Sequence, residues 1–411
     1  MKKTCLLSGN FALDTIVTRD YPNGFIVGKS NKFTETIVAE TVGNTCGNVA
    51  CMLAYLGVQS FPIAHLDLSE QGLKIKEDLQ QYGADVRFVE NSESGGTTLL
   101  RCTHKRDKTT GEHTVSFRAT SPGSRFPKRK FLRVRDEAPA FMENLDFTPD
   151  IFFFDAAEAG LRHIAAELRK RGTLVYFEPE SDADKNKFLK AVEVSDIVKF
   201  SHEKVGDIAF TEQYTDKLFI RTLGVKGLEF NLCGQGWARV ASVPNDNVVD
   251  CEGAGDWTTS QFIACLCERD VLPISQMTTD SVRECLEIAC ITASHSVSYL
   301  GSKGMIDTEI TTIPLKEDGS LDVMRISCLP LDMFTKVVED LTQEQWKEFI
   351  AKCKPYTVTA SEIFFFATLK VTSNTSTNPT KNISADDNTI LIFNENAFIN
   401  TTFLIICNYS F

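Results

Sequence analysis

The chain has 411 residues and a formal charge of −12, with 43 basic against 55 acidic side chains. That balance excludes a nucleic-acid surface, because neutralising a phosphate backbone needs a basic or strongly patched basic face. No stretch reaches the roughly 18 continuous apolar residues of a membrane helix. The thirteen cysteines lie scattered through apolar runs (Cys5, Cys51, Cys290) without the spacing of a disulfide-stapled domain, which points to reduced thiols in a cytoplasmic protein.

In chain order, Met1 to Leu7 carries two lysines and a short apolar run, then turns polar at Ser8-Gly9-Asn10, too early for a signal-peptide core. Two segments, about residues 15–41 and 97–119, break the pattern of the core. Alternation such as Thr97-Thr98-Leu99-Leu100-Arg101-Cys102 predicts half-exposed strands of a small sheet set apart from it. Phe126 to Arg135 is a basic run in an acidic chain, read first as a solvated loop face and second as an anion site. From residue 151 short apolar runs alternate with amphipathic ones, the signature of strand-helix-strand units in a parallel sheet. Ile151 to Phe154 is a strand, Leu161 to Arg171 a helix stopped by Gly172, and Leu174 to Phe177 the next strand. Ile197 to Phe200 and Leu218 to Ile220 continue the series. Such solid apolar strands are covered on both faces, which predicts a doubly wound, mostly parallel α/β core. Thr342 and Gln345 form a capping-box pattern, followed by Trp346, Phe349, Ile350 and Cys353 on one helical face. These patterns divide the chain into a main unit over 1–330, a C-terminal helical region over 331–354, and an Asn/Thr/Ile/Phe-rich tail over 355–411. In that tail Ile390 to Phe393 and Phe403 to Ile406 are apolar patches.

The segment richest in chemistry is Asp250-Cys251-Glu252-Gly253-Ala254-Gly255-Asp256, leading into the helix-compatible run Trp257 to Cys267. Glycines before a helix let the backbone approach a ligand, and the first free N–H groups of the helix bind anions. A carboxylate at the same turn can serve as a base. Alone, the turn also reads as a helix capped by Asp256. The six histidines (His65, His104, His113, His163, His202, His295) show no metal-ligand spacing, and no paired C-x-x-C motif announces a zinc site.

The heptapeptide resembles the D-T-x-G-A-G-D signature of the ribokinase (PfkB) family of sugar and nucleoside kinases, with Cys251 in place of Thr. Further landmarks follow the family's order over roughly residues 3–325. Leu6 to Asp14 resembles the opening strand and loop. Gly43-Asn44-Thr45-Cys46-Gly47-Asn48-Val49-Ala50 resembles the G-G-x-x-x-N-x-A motif, with Asn44 replacing the second glycine. Thr222-Leu223-Gly224-Val225-Lys226-Gly227 resembles the T-x-G-x-x-G nucleotide loop, and Ser201-His202-Glu203-Lys204 stands where the family has N-x-x-E. The helix around Ile288 to Ala293 and the loop Gly301 to Gly304 resemble the late adenine-side helix and its turn.

The resemblance implies a ribokinase-like fold with a small β lid, and ATP-dependent phosphorylation of a hydroxyl on a sugar-type small molecule. Asp256 would be the catalytic base and Gly253, Ala254 and Gly255 the anion hole. Asp14, Gly43, Asn44 and Asn48 would bind the acceptor, and Thr222, Gly224 and Gly227 the ATP. Glu203 is the candidate for Mg²⁺ and phosphate, and Asp250 marks the place of a monovalent cation such as K⁺ in some relatives. A lid with exposed strand edges would allow a homodimer. The alternatives are a nucleoside or sugar-phosphate kinase of the same fold, or a non-catalytic binding paralogue, which the altered N-x-x-E would suit. Because the tail lies beyond both the resemblance and the capped helix, truncation after Lys354 is expected to leave folding and turnover intact. Aggregation or lost activity of that variant would place the tail in the core or in an assembly.

Overall fold

The computed structural model describes residues 2–24, 32–110 and 113–307, together with Thr342, Gln345, 366–369 and 401–404. The chain divides into two compact units, Met1–Thr308 and Glu309–Phe411. In the first, the strands and helices run β1 (Thr4–Ser8), β2 (Ala12–Tyr21), β3 (Thr34–Gly43), α1 (Asn44–Tyr55), β4 (Gln59–Leu66), α2 (Glu70–Gln81), β5 (Val89–Asn91), β6 (Thr98–Asp107) and β7 (His113–Thr120). They continue α3 (Glu137–Asn144), β8 (Ile151–Phe154), α4 (Ala159–Lys170), β9 (Leu174–Phe177), α5 (Lys185–Glu193), β10 (Ile197–Ser201), β11 (Leu218–Thr222), β12 (Leu228–Leu232) and β13 (Trp237–Val240). The unit ends with α6 (Ala254–Glu268), α7 (Thr279–Ser296) and the short α8 (Gly304–Asp307).

Nine strands form the main sheet in the order β13-β12-β11-β10-β9-β8-β1-β4-β5. Pairing is parallel from β5 to β11, and β12 and β13 close one edge antiparallel. Both faces are covered, as the solid apolar runs require. Cys5 and Leu7 of β1, with Ile151 and Phe153 of β8, join one apolar cluster shared with α1, α2, α6 and α7. Their alternate neighbours Leu6, Phe152 and Phe154 join a second cluster shared with α3, α4 and α5. The helix expected over 161–171 begins two residues earlier and ends at Lys170, with Arg171 as its C-cap and Gly172 next at φ +92°.

The two segments set apart by their alternation form a separate four-stranded sheet, β3-β2-β6-β7. In it β2 pairs parallel with β6 and the outer pairs are antiparallel. This is the small β lid. Leu13, Ile16, Val17, Cys102 and His104 are buried in it, whereas Ile37, Val38, Val115 and Phe117 are exposed. The ten described cysteines are free thiols, eight of them buried. Among the described residues no helix is long and apolar enough to cross a membrane.

In the second unit, Thr342 N–H donates to Gln345 Oε1 (3.0 Å) and Gln345 N–H to Thr342 Oγ1 (3.2 Å), the reciprocal pair of a capping box. The rest of the expected 331–354 helical region lies outside the described residues, as does the expected boundary at 330. In the tail, strands β14 (Phe366–Leu369) and β15 (Thr401–Leu404) pair antiparallel, so the patch at Phe403 begins inside a strand. The patch at Ile390 to Phe393 lies outside the described residues.

Candidate active site

Parallel strands end on one edge of the main sheet, where their carboxyl ends leave a crevice that suits a ligand. Glu178 follows β9, Ser201 ends β10 and Thr222 ends β11, and all three line a cleft of about 290 Å³. Asp14 and Asn44, Asn48 of α1, Leu100 and Phe117 of the lid, Lys199, Lys204, Glu252, Gly253, Gly255 and Asp256 complete the walls with Thr45 and Pro179.

Asp256 sits in the first turn of α6, nine-tenths buried. Gly253 caps this helix at φ +77°, a conformation that glycine adopts without cost. A Cβ there would also lie 2.4 Å from Ser302 Cβ, so the position is closed to larger residues. Asn48 Nδ2 donates to Asp256 Oδ2 at 2.7 Å, while Asn48 Oδ1 accepts from Ser302 Oγ (2.9 Å) and Lys303 Nζ (2.8 Å). Burial pushes the Asp256 carboxyl up to about 6, with the Glu178 charge adding to the rise and the Asn48 amide and the Lys199 and Lys204 ammonium groups opposing it.

Lys199 is buried against Glu178, and its ammonium also donates to Gly255 O at 3.0 Å. Glu178 Oε2 accepts from Thr259 Oγ1 at 2.5 Å, one turn along α6 from Gly255. A buried ion pair thus clamps the start of α6 to the ends of β9 and β10.

Asp14, on β2, accepts from Asn44 N–H at 3.2 Å through Oδ2, and its buried Oδ1 has no hydrogen-bond partner among the described residues. A Cβ on Gly43 would fall 1.7 Å from Asp14 Oδ2, so the glycine makes room first of all for this carboxylate. Asn44 takes φ +62°, the left-handed region that asparagine tolerates best after glycine. Its Oδ1 accepts from its neighbour Thr45 N–H (3.1 Å), and this explains why Asn can stand where the family has glycine. Beneath them Asp155, in no motif read from the sequence, accepts from Asn10 N–H (2.8 Å) and Cys46 N–H (3.0 Å) and ties the first loop to α1.

Several site residues expected from the sequence therefore meet in one cleft: Asp14, Asn44, Asn48, Thr222, Gly253, Gly255 and Asp256. Gly43 and Ala254 adjoin it through the caps of α1 and α6. Gly224 (φ +60°) and Gly227 (φ +88°) form the turn of the β11-β12 hairpin beyond Thr222. Glu203 is exposed and off the cleft wall, while Lys204, one residue on, lines it. Asp250 accepts from Glu252 N–H (3.0 Å) and Gly301 N–H (2.9 Å). The Gly301 to Gly304 loop, the turn that follows the helix read as adenine-side, packs on Asn48 and Asp250. Arg129, Lys130 and Arg133 of the basic run are engaged in ion pairs with Glu180, Glu137 and Asp136, and no residue of that run lines the cleft. Glu178 and Lys199 belong to no sequence motif because each is a single charge whose partner stands elsewhere along the chain, and Lys204 because it is a cation where the family motif has an acid. Reading the histidines by spacing also passed over one grouping, for Cys102, His104 and Glu252 place their ligand atoms within 4.8 Å of one another.

Burial pushes the Asp14 carboxyl up from 3.8 to about 8, with Lys303 opposing and Glu252 adding to the rise. A folded value above the unfolded one means that the folded state holds the proton more tightly. This carboxyl therefore costs the fold stability progressively as pH rises between those two values. Asp14→Asn is expected to raise the melting temperature by a few degrees at pH 7 and above, with the gain vanishing near pH 4. A calorimetric pH series checks this, and an equal or lower melting temperature at neutral pH would overturn it.

Comparison with known proteins follows the same lines. The sequence matches the pfkB family carbohydrate kinase profile over residues 35–309. No curated protein gives a significant sequence match. Among solved structures, a fructokinase with bound ATP from Xylella fastidiosa is similar at 18% identity and a TM-score of 0.54, over 74% of this chain and 94% of that one. An Arabidopsis thaliana ribokinase complexed with ribose and ATP gives 17% identity and 0.52, over 74% and 95%. A nucleoside kinase from Methanocaldococcus jannaschii gives 17% and 0.51, over 74% and 94%. At these identities the structures speak for the fold, whereas the profile spans most of the chain and includes the Asp250 to Asp256 signature; the protein therefore belongs to the pfkB family of carbohydrate kinases.

Proposed function

We propose that the protein transfers the γ-phosphoryl group of ATP to a hydroxyl of a sugar or sugar-like small molecule, with Asp256 as the general base. The observation that carries this reading is the setting of Asp256: buried, at the N-terminus of a helix, oriented by Asn48, and sharing one cleft with Asp14 and two lysines. A residue that only capped the helix would have no need of such a setting.

The acceptor hydroxyl gives its proton to Asp256, its oxygen bonds to the γ-phosphorus, and the bond to the leaving ADP oxygen breaks. In this reading the Gly253 and Gly255 N–H groups meet the charge that develops on the moving phosphoryl group and the helix dipole adds to them, while the Ala254 N–H also donates to Cys251 O at 3.4 Å. Lys199 and Lys204 bring positive charge to the same cleft. Mg²⁺, when bound, would neutralise phosphate oxygens, and such ions take one or two carboxylates beside the phosphates. Glu178 and Asp256 are the carboxylates on this part of the wall, whereas Glu203 is not on it. Lys204 in place of the family's glutamate adds a cation where an anion is usual, so part of the charge neutralisation falls to the protein. The unpartnered Asp14 Oδ1 supports a role in accepting a hydrogen bond from an acceptor hydroxyl. Thr222 is on the wall for the nucleotide side, with the turn at Gly224 and Gly227 behind it. The nucleoside kinase among the similar structures supports a nucleoside as the second acceptor class, and a sugar phosphate is the third to be tested. ATP consumption across a panel of free sugars, sugar phosphates and nucleosides separates these, and no turnover with any of them would favour a binding paralogue.

Asp256→Asn is expected to lower kcat by about 10²- to 10⁴-fold with little change in melting temperature or ATP binding. The amide keeps the shape and the Asn48 contact but cannot take the proton. A variant within a few-fold of wild type would sink the base assignment. Since only the ionised carboxylate is a base, kcat/KM is expected to be level above about pH 6 and to fall about tenfold per pH unit below it. Glu178→Gln removes a charge that raises the Asp256 value and should move this acid limb to lower pH. An unmoved limb would assign it to another group.

A further inference from the structure

Cys102 and His104 alternate on β6, so both point to the inner face of the lid, and both are fully buried. Opposite them stands Glu252, in the turn that leads into α6. Cys102 Sγ lies 3.4 Å from His104 Nε2, and the three ligand atoms fall within 4.8 Å of one another. A tetrahedral ion with metal–sulfur and metal–nitrogen bonds of about 2.3 and 2.0 Å sets those two donors about 3.5 Å apart. Asp250 Oδ2 lies 3.4 Å from the same imidazole nitrogen, and Glu252 Oε2 is buried without a hydrogen-bond partner among the described residues.

Charge favours a cation here as well. Glu252 lies within the influence of Asp14, Asp250 and Asp256, and the Lys303 ammonium opposes this negative charge at both Asp14 and Glu252. A thiol beside an imidazole selects Zn²⁺-like ions, because Mg²⁺ and K⁺ prefer oxygen donors throughout. We propose that Cys102, His104 and Glu252 form a site for a Zn²⁺-class divalent cation that ties lid strand β6 to the turn carrying the anion-hole glycines, with water in the fourth position. On binding, the Cys102 S–H bond is replaced by a sulfur–metal bond and the proton leaves to solvent. The thiolate and the Glu252 carboxylate then balance the two positive charges. Occupancy would hold the lid against the catalytic turn, so metal supply would act on the closed state of the site.

The test reads metal directly and does not depend on the kinase reading. The full chain, stripped with a chelator, is titrated with Co²⁺ alone and followed by absorption. Saturation at a single equivalent, with a near-ultraviolet thiolate-to-Co²⁺ charge-transfer band and the intense visible bands of a tetrahedral ion, is the expected result, and Zn²⁺ should bleach both. Cys102→Ser should abolish the charge-transfer band, and Cys251→Ser, altering the exposed thiol nearby, should leave it. His104→Ala and Glu252→Gln should each weaken Zn²⁺ binding by at least about tenfold. Should Cys102→Ser fail to fold, Glu252→Gln and the wild-type spectrum decide. A weak octahedral spectrum, a band that follows Cys251, or no uptake of Co²⁺ would overturn the site.

Discussion

The side-chain amide of Asn48 joins three segments that are far apart in sequence. Its nitrogen donates to Asp256 at the start of α6, and its oxygen accepts from Ser302 and Lys303 in the loop after α7. An amide has a donor end and an acceptor end, so this orientation makes Asp256 the hydrogen-bond acceptor, and the bond favours its charged form. Trp257 reinforces the arrangement by donating from Nε1 to Ser302 O at 2.8 Å and packing with Met52 of α1 and Met305 of α8. The position of the proposed base therefore depends on α1 lying against α6, which is the packing that covers one face of the sheet.

Buried charge is the recurring cost of this design. Asp14 and Asp256 are both pushed up by desolvation, and each is held by a neighbouring amide or backbone N–H. Lys199 meets Glu178, whose other oxygen is occupied by Thr259. Breaking one member of such a buried pair leaves the other uncompensated, which is far more costly than the pair is worth as a whole. A cleft so furnished is stiff at its floor, and adaptation to a ligand falls to the lid, whose Leu100 and Phe117 reach the cleft from a separate sheet.

Two departures from the family pattern have different physical meanings. Asn44 in place of glycine is conservative in backbone terms, because the position needs a positive φ and asparagine supplies it while capping Thr45. Lys204 in place of glutamate reverses a charge on the cleft wall, and no compensating acid stands at Glu203, which faces solvent.

The fold was largely legible in the sequence, because parallel strands buried on both faces are solid apolar runs and the lid strands alternate; the strand at 151–154 and the one at 174–177 were placed to the residue. The glycine turn with Asp256, and Asp14 with Asn48, could be read from short motifs through their resemblance to the family's, since each turn alone would also fit an ordinary helix cap or loop. What the sequence could not hold was pairing at a distance. Glu178 with Lys199, Asp155 under two loops, and Cys102 and His104 facing Glu252 are unremarkable residues until a sheet, a helix start and a lid strand bring them together. Local spacing records only neighbours along the chain, whereas burial, desolvation and the distances between charges are set by tertiary packing.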